Sequence, residues 1–542
     1  MNEMRDGRGG RERREKIEKK GKKGKIERGK GEKGKEEREE WWHAIAKDII
    51  RRKGMRNLVV ATGITPSGAI HIGNLRETLI ADAVCNALRE NGAEASLIYI
   101  ADTYDPLRRL YPFLPPDYKE HVGKPLSDIP DPDGCHSSYS EHFLQPFLAA
   151  TDKLGISMKV FRADEMYKRG MYEDAIRLAI KERERIMRII AEVTGRDLQR
   201  DWYPFMPVCK NCGRMNATDV LKCDLKRGEC VYRCNACGYE GFASLKNGGK
   251  LTWRVDWAAR WKILNVAVEP FGKDHASAGG SYETGKRISE EIYGYEAPYP
   301  IPFEHVLLKV GGKVEAMSSS KGTNISVDEI LTVVPPEVLK FIMLRVKPMK
   351  HIEFDPSMGL LNLIDEYERE IAPIGRGVAA EIPFRHFITL VQVARGDINN
   401  LLKIIRRSGF ALARDEEQMK TEIAEIQKKA RYAENWLRKF AQPDVKFEIK
   451  DSLPELARSL SQKQKEALKM LSEEIKKRKL SAEDYHNKIY EVAENLGISA
   501  KEVFRAVYIA LLGRDSGPRA GWLLASLQRE FLVKRFEDAA KD

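Results

Sequence analysis

The chain has 542 residues, with 93 Lys and Arg against 81 Asp and Glu, so it carries a net charge of +12. That length exceeds what one compact core can use and points to roughly three or four domains. No apolar run approaches a bilayer span and the start lacks a signal-peptide pattern, which argues against a membrane or exported protein and for a cytoplasmic one, while the positive balance suits a polyanionic partner.

Residues 1–40 form a Lys/Arg/Glu/Gly tract holding 16 Lys and Arg against 11 Asp and Glu, five of the twelve net charges. With almost nothing apolar to bury, it is expected to be disordered, either as a tether for RNA phosphates or as a solubilising tail. Folding begins at the amphipathic helix that opens Trp41-Trp42-His43-Ala44-Ile45-Ala46. Leu58-Val59-Val60-Ala61 then reads as a strand, and Leu75 to Val84 places apolar residues at helical spacing. Between them lies Gly63-Ile64-Thr65-Pro66-Ser67-Gly68-Ala69-Ile70-His71-Ile72-Gly73-Asn74. Gly63, Gly68 and Gly73 allow sharp turns and close approach to a ligand, and the helix that follows offers unpaired N–H groups and a positive dipole to phosphate. His71 adds a side-chain donor. Alone, such a junction is as often a plain turn as a site.

Further on, Asp131, Cys135, His136 and His142 supply one carboxylate, one thiolate and two imidazoles, all ligand types that zinc accepts. The eight cysteines are concentrated downstream, six of them between positions 209 and 237. Cys209, Cys212, Cys234 and Cys237 make two C-x-x-C knuckles at the spacing of a zinc ribbon, a strong signal. A disulfide framework is disfavoured in a long cytoplasmic chain, so the remaining Cys223 and Cys230 are expected to be spare thiols or rival ligands. In Leu251-Thr252-Trp253-Arg254-Val255-Asp256-Trp257-Ala258-Ala259-Arg260-Trp261 the indoles, taken as alternate strand positions, are core residues; as pocket residues they would wall an alkyl chain whose ammonium Asp256 could hold. The string Phe271-Gly272-Lys273-Asp274-His275 favours the pocket, and Glu304 is a lower-ranked acid.

The late loop Met317-Ser318-Ser319-Ser320-Lys321-Gly322 carries a cation suited to a phosphate, although such strings are common in solvated loops. From Pro335 onward the chain reads as helical, with long amphipathic patterns at 420–442 and 460–480 and another opening at Ser499.

The early and late segments together resemble the class I aminoacyl-tRNA synthetases, with a HIGH-like string at His71-Ile72-Gly73-Asn74 and a KMSKS-like string at Met317-Ser318-Ser319-Ser320-Lys321. Asn74 in place of the second His, and the wider Gly63–Gly68 string, resemble the lysyl branch. Ala316 and Ser319 stand where Lys is usual, so Lys321 is expected to take over the phosphate contact. The resemblance implies ATP contacts from Pro66, Ser67, Gly68, His71, Gly73 and Asn74, and from Met317, Ser318, Ser319, Ser320 and Lys321. His71, Asn74 and Lys321 would act in catalysis, with Mg²⁺ brought by ATP. It implies an amino-acid pocket at Gly63, Thr65, Trp253, Asp256 and His275. It strengthens the Asp131/Cys135/His136/His142 site as a second structural zinc, places the acceptor end of tRNA at the insertion, and identifies the helical end with an anticodon-binding cage.

The expected architecture is therefore α/β: a Rossmann-type catalytic domain at 41–330 interrupted by a zinc-binding insertion at about 100–250, connecting helices at 331–375, and an all-α anticodon-binding domain at 376–542. The expected activity is ligation of L-lysine to tRNA(Lys) through lysyl-adenylate. Alternatives are a glutamate or cysteine enzyme on the same scaffold, a nucleotidyltransferase that does not use tRNA, and a non-catalytic zinc-ribbon RNA-binding protein. A glutamate pocket would show Arg where lysine needs an acid.

Overall fold

The structure is a computed structural model that describes residues 39–317 and 324–541. The basic tail and the late-loop residues Ser318, Ser319, Ser320 and Lys321 lie outside the described residues.

Five parallel strands make the central sheet, in the spatial order Tyr299–Phe303, Val266–Gly272, Leu58–Ile64, Ala95–Ala101, Lys159–Arg162. The first strand in the chain is central, and the order reverses between it and Val266–Gly272. In open parallel sheets, that reversal leaves a ligand crevice beyond the carboxyl ends of the strands. The Gly63–His71 loop leaves the sheet at this end.

Side chains alternate between two covered faces, as strand geometry requires. Leu58, Val60, Leu97 and Tyr99 enter one core together with Leu75 and Leu79 of the helix Ile72–Glu90. Ala61, Ile98 and Ile100 enter the other, against Trp257 and Trp261. The stretch expected as one insertion at about 100–250 first returns to the sheet: the helix Tyr139–Lys153 packs on it and Lys159–Arg162 becomes its edge strand. A four-residue edge strand is too short to announce itself by alternation. Beyond it come three helices, a two-stranded pairing of Phe205–Pro207 with Gly249–Leu251, and the antiparallel sheet Thr218–Asp224, Glu229–Cys234, Glu240–Ser244.

The Trp-rich segment is a helix, Trp253–Ile263, and not a strand. The indoles stand four residues apart, so Trp253, Trp257 and Trp261 fall on one helical face and contact in series, at ring separations of 5.3 Å and 5.0 Å.

A small sheet, Val306–Val310, Lys313–Ala316 and Ile352–Phe354, carries the late loop at its end. The core of the first face continues through Ile364, Phe387, Ile404 and Trp436. Lys429 fastens this region: its ammonium, fully buried, donates to the carbonyls of Ile374, Ala379 and Ile382 and pairs with Glu368 at 3.3 Å. A separate core belongs to the bundle Gln462–Lys477, Ala482–Leu496, Ala500–Leu512, Ala520–Ser526, Arg529–Ala540. Its first three helices start at the capping boxes of Ser461, Ser481 and Ser499, each of which satisfies two terminal N–H groups.

Candidate active site and metal centres

The early motif is shaped by its own side chains. His71 is the N-cap of Ile72–Glu90: its Nδ1 accepts from Asn74 N–H, and Asn74 Oδ1 accepts from His71 N–H, both at 3.3 Å. With Nδ1 an acceptor, the ring proton sits on Nε2, and the Asn74 amide hydrogens remain for a ligand. Burial pushes the His71 imidazole down to about 4, so it is a neutral donor. Gly73 is required here, because a Cβ at that position would lie 2.9 Å from the His71 ring. Gly63 is required by the sheet, because its Cβ would stand 2.6 Å from the Ile100 carbonyl oxygen. Pro66 and Gly68 are buried and shape the loop, while the Ser67 carbonyl accepts from Tyr139 Oη at 2.8 Å.

The early motif pairs through its backbone with the segment that follows the late loop. Ile72 N–H donates to the Ile325 carbonyl at 3.1 Å and Val327 N–H to that of Ile70 at 3.2 Å, so His71 and Ser326 form an antiparallel bridge. Met317 and Ile325, on either side of the late loop, share a core with Ile70 and Ile72. Four residues beyond Ile72, Arg76 is fully buried and donates to the carbonyls of Glu304 at 2.5 Å, Lys350 at 2.7 Å, Pro348 at 3.2 Å and Lys347 at 3.3 Å. It ties the early-motif helix to the segments bordering the small sheet.

Trp253 and Trp257 stack nearly parallel, and His275 packs against both, at 6.1 Å and 5.6 Å. Trp253 keeps 38% of its surface exposed, so one indole face is open. Asp256 is elsewhere. Its carboxylate is fully buried and taken by Tyr167 Oη at 2.6 Å, Arg260 at 2.9 Å and Lys250 at 3.6 Å. Lys250 in turn holds Asp105 at 2.5 Å, and Asp105 accepts from Thr65 Oγ1 at 2.9 Å, so Asp256 reaches the site only through this chain. A polar residue on the inner side of a helix meets the core, and the strand reading concealed that. Glu304 pairs with Lys273 at 2.9 Å.

Two acids that the sequence reading passed over stand closer. Glu77 Oε1 accepts from Gly63 N–H at 3.1 Å and Thr62 Oγ1 at 2.8 Å, and burial raises its carboxyl to about 8. Glu269 accepts from the indole N–H groups of Trp257, at 3.1 Å, and Trp261, and burial raises it to about 7. A carboxylate inside the apolar run Val266–Phe271 and another inside Leu75–Val84 were the available signals. Arg260 is consumed by Asp102 and Asp256.

Both metal-ligand sets converge. Cys209 Sγ lies 3.7 Å from Cys237 Sγ, and Cys212 Sγ 3.6 Å from Cys234 Sγ, with all four within 4.8 Å of one another. Bonds of about 2.3 Å around a tetrahedral zinc give sulfur separations of about 3.8 Å, so the donors fit. Asp131, Cys135, His136 and His142 likewise place their ligand atoms within 4.8 Å. Cys135 Sγ is 3.0 Å from His136 Nδ1 and 3.5 Å from His142 Nδ1, which is 2.9 Å from Asp131. Cys223 and Cys230 are neither spare nor ligands: they face each other across the antiparallel strands and form a disulfide. The expectation of free thiols rested on compartment and did not see this register.

The family described as tRNA synthetases class I (K) matches residues 39–380, and an anticodon binding domain matches residues 398–540. The chain is 48% identical over 537 residues to a lysine–tRNA ligase of Methanosarcina barkeri, covering 92% of this chain and 97% of the relative. It is 46% identical over 508 residues to a lysine–tRNA ligase of Archaeoglobus fulgidus, covering 92% and 99%. A third, from Methanocaldococcus jannaschii, is 41% identical over 531 residues, with coverages of 92% and 99%.

Proposed function

The chain belongs to the class I lysyl-tRNA synthetase family, and from that premise we propose how its residues carry out ATP-dependent ligation of lysine to tRNA. The observation that carries the reading is the backbone pairing of Ile70–Ile72 with Ile325–Val327, which sets the early motif against the segment following the late loop, at the crevice of the sheet.

Lysine enters beside Gly63 and Thr65, with Trp253 and His275 along its alkyl chain. Its carboxylate attacks the α-phosphorus of ATP and pyrophosphate leaves, after which the terminal ribose hydroxyl of tRNA attacks the acyl carbon. Neither step requires a protein nucleophile. His71 Nε2–H and the Asn74 amide donate to phosphate oxygens, and the Lys321 ammonium supplies a cation to the same oxygens. Mg²⁺ arriving with ATP neutralises phosphate charge when bound. Glu77 is the acid we assign to a lysine ammonium: it is tied to Gly63, and a cation beside it would restore its ionised form. Acids at the site, with Arg260 already committed, favour lysine over glutamate.

Both metal sets are assigned to zinc and to a structural role, because four protein ligands leave no open position. The insertion would meet the acceptor end of tRNA and residues 376–542 its anticodon, with the work done in the cytoplasm. Among the described residues no helix is long and apolar enough to cross a membrane. Charging of total tRNA with labelled lysine, glutamate and cysteine tests the proposal: lysine alone should be esterified, and a glutamyl product would overturn it.

A further inference from the structure

Lys250 is only 1% exposed, although it lies at the edge of the insertion, in the middle of the strand Gly249–Leu251 that pairs with Phe205–Pro207. Its ammonium stands 2.5 Å from Asp105 Oδ1 and 3.6 Å from Asp256 Oδ2. Burial works against this charge, but the carboxylates of Asp105, Asp256 and Asp102 outweigh it and hold the ammonium above the usual lysine range. Asp105 is fixed by its backbone: its N–H donates to the Asp102 carbonyl at 3.3 Å, and its carbonyl accepts from Leu126 N–H at 2.9 Å. Asp102 N–H donates in turn to the Ile64 carbonyl at 3.1 Å. The loops that follow Leu58–Ile64 and Ala95–Ala101 are thereby held together, and Asp105 Oδ2 accepts from Thr65 Oγ1 across them at 2.9 Å. Burial pushes the Asp105 carboxyl up, but Lys250 and the Thr65 hydroxyl outweigh it and keep the group below the usual carboxylate range.

An ionised carboxylate only accepts, whereas a hydroxyl has one hydrogen and two lone pairs. The Thr65 hydrogen is spent on Asp105, and among the described residues the hydroxyl makes no other hydrogen bond, so it has lone pairs alone to offer. Lone pairs suit an ammonium N–H and repel a carboxylate. We propose that Asp105 and Lys250 are positioning residues for the amino acid: Lys250 holds Asp105, Asp105 takes the Thr65 hydrogen, and the Thr65 oxygen is thereby fixed as an acceptor for a lysine ammonium. This deepens the proposed function and rests on its placement of lysine beside Thr65. Asparagine at position 105 would reverse the arrangement. Its carbonyl oxygen is drawn to the Lys250 ammonium, so its amide N–H faces Thr65 and turns the hydroxyl hydrogen toward the cation it has to receive.

The test is ATP–pyrophosphate exchange by the full chain in the presence of total tRNA, with kcat and the KM values for lysine and ATP measured separately. Thr65→Val keeps the shape and removes the hydroxyl, and should raise KM for lysine about 10- to 150-fold, the worth of one hydrogen bond to a charged group. Thr65→Ser should restore most of that loss. Asp105→Asn, in which Lys250 keeps Asp256, should raise KM for lysine about tenfold while kcat and KM for ATP stay within about twofold, the signature of lost substrate binding. Combined with Thr65→Val it should add nothing, because a residue acting through the hydroxyl has nothing left to act on. Lys250→Met should match Asp105→Asn; should that chain fail to fold, Asp105→Asn and the double variant decide. An unchanged KM for lysine in Thr65→Val or Asp105→Asn would overturn the proposal. So would losses that multiply in the double variant, or a fall in kcat and ATP binding alongside lysine binding, since a purely structural tie gives those results. Absence of lysine-dependent exchange in the unmodified chain would instead refute the underlying reading.

Discussion

Replacing Arg76 by Met keeps a long side chain in place while removing the guanidinium that joins the early-motif helix to the Glu304 and Lys347–Lys350 segments. Its two short contacts, to Glu304 and Lys350, are charge-assisted bonds worth about 1.5–3 kcal/mol each, and the two long ones add little. The loss should be about 3–6 kcal/mol, because the carbonyls left behind are held in the interior. Urea unfolding of the full chain followed by tryptophan fluorescence measures it. The same segments border the sheet carrying the late loop, so kcat for adenylation should fall about tenfold or more. KM for lysine should change little, since Gly63 and Thr65 are held by other bonds. Arg76→Lys, whose single ammonium can meet only some of the carbonyls, should fall between. A loss below about 1 kcal/mol with unchanged kcat would refute the argument that this residue couples the motifs.

Lys321→Ala should lower the adenylation rate by about one order of magnitude or more, what a preorganised charge contact at a phosphate is worth, and an unchanged rate would remove Lys321 from the chemistry. Metal analysis after dialysis should find about two zinc per chain, with Cys209→Ser and His142→Ala each removing one. A Cys209→Ser protein without zinc would sink the second site. Glu269, raised to about 7, binds its proton more tightly folded than unfolded, so its contribution to stability is full below about pH 4.5 and is lost as pH rises through about 7. The lost amount is about 3 kcal/mol, and Glu269→Gln should flatten the decline measured by urea unfolding between pH 5 and pH 8. An identical slope in the variant would contradict the assignment.

Local signals carried much of the account. The strand–loop–helix around Gly63–Asn74 and the C-x-x-C pairs each lie within a few tens of residues, so pattern and spacing suffice for them. What failed was long-range or depended on the wrong period. Trp253, Trp257 and Trp261 stand four apart, a helical interval that the strand reading overrode, and with it went the placement of Asp256. Glu77 and Glu269 matter because a strand end and two indoles meet them, contacts that no window along the chain contains. The Cys223–Cys230 pair is a matter of hairpin register. His71 and Asn74 were legible as a site, but their mutual capping, and the neutral imidazole that follows, needed coordinates.

The most direct test of the central claim is amino-acid-dependent ATP–pyrophosphate exchange across all twenty amino acids, run with and without total tRNA. The proposed site, with Glu77 beside Gly63 and the early motif paired with the segment after the late loop, predicts exchange with lysine and with no other amino acid. Exchange dependent on glutamate, or none under either condition, would contradict them.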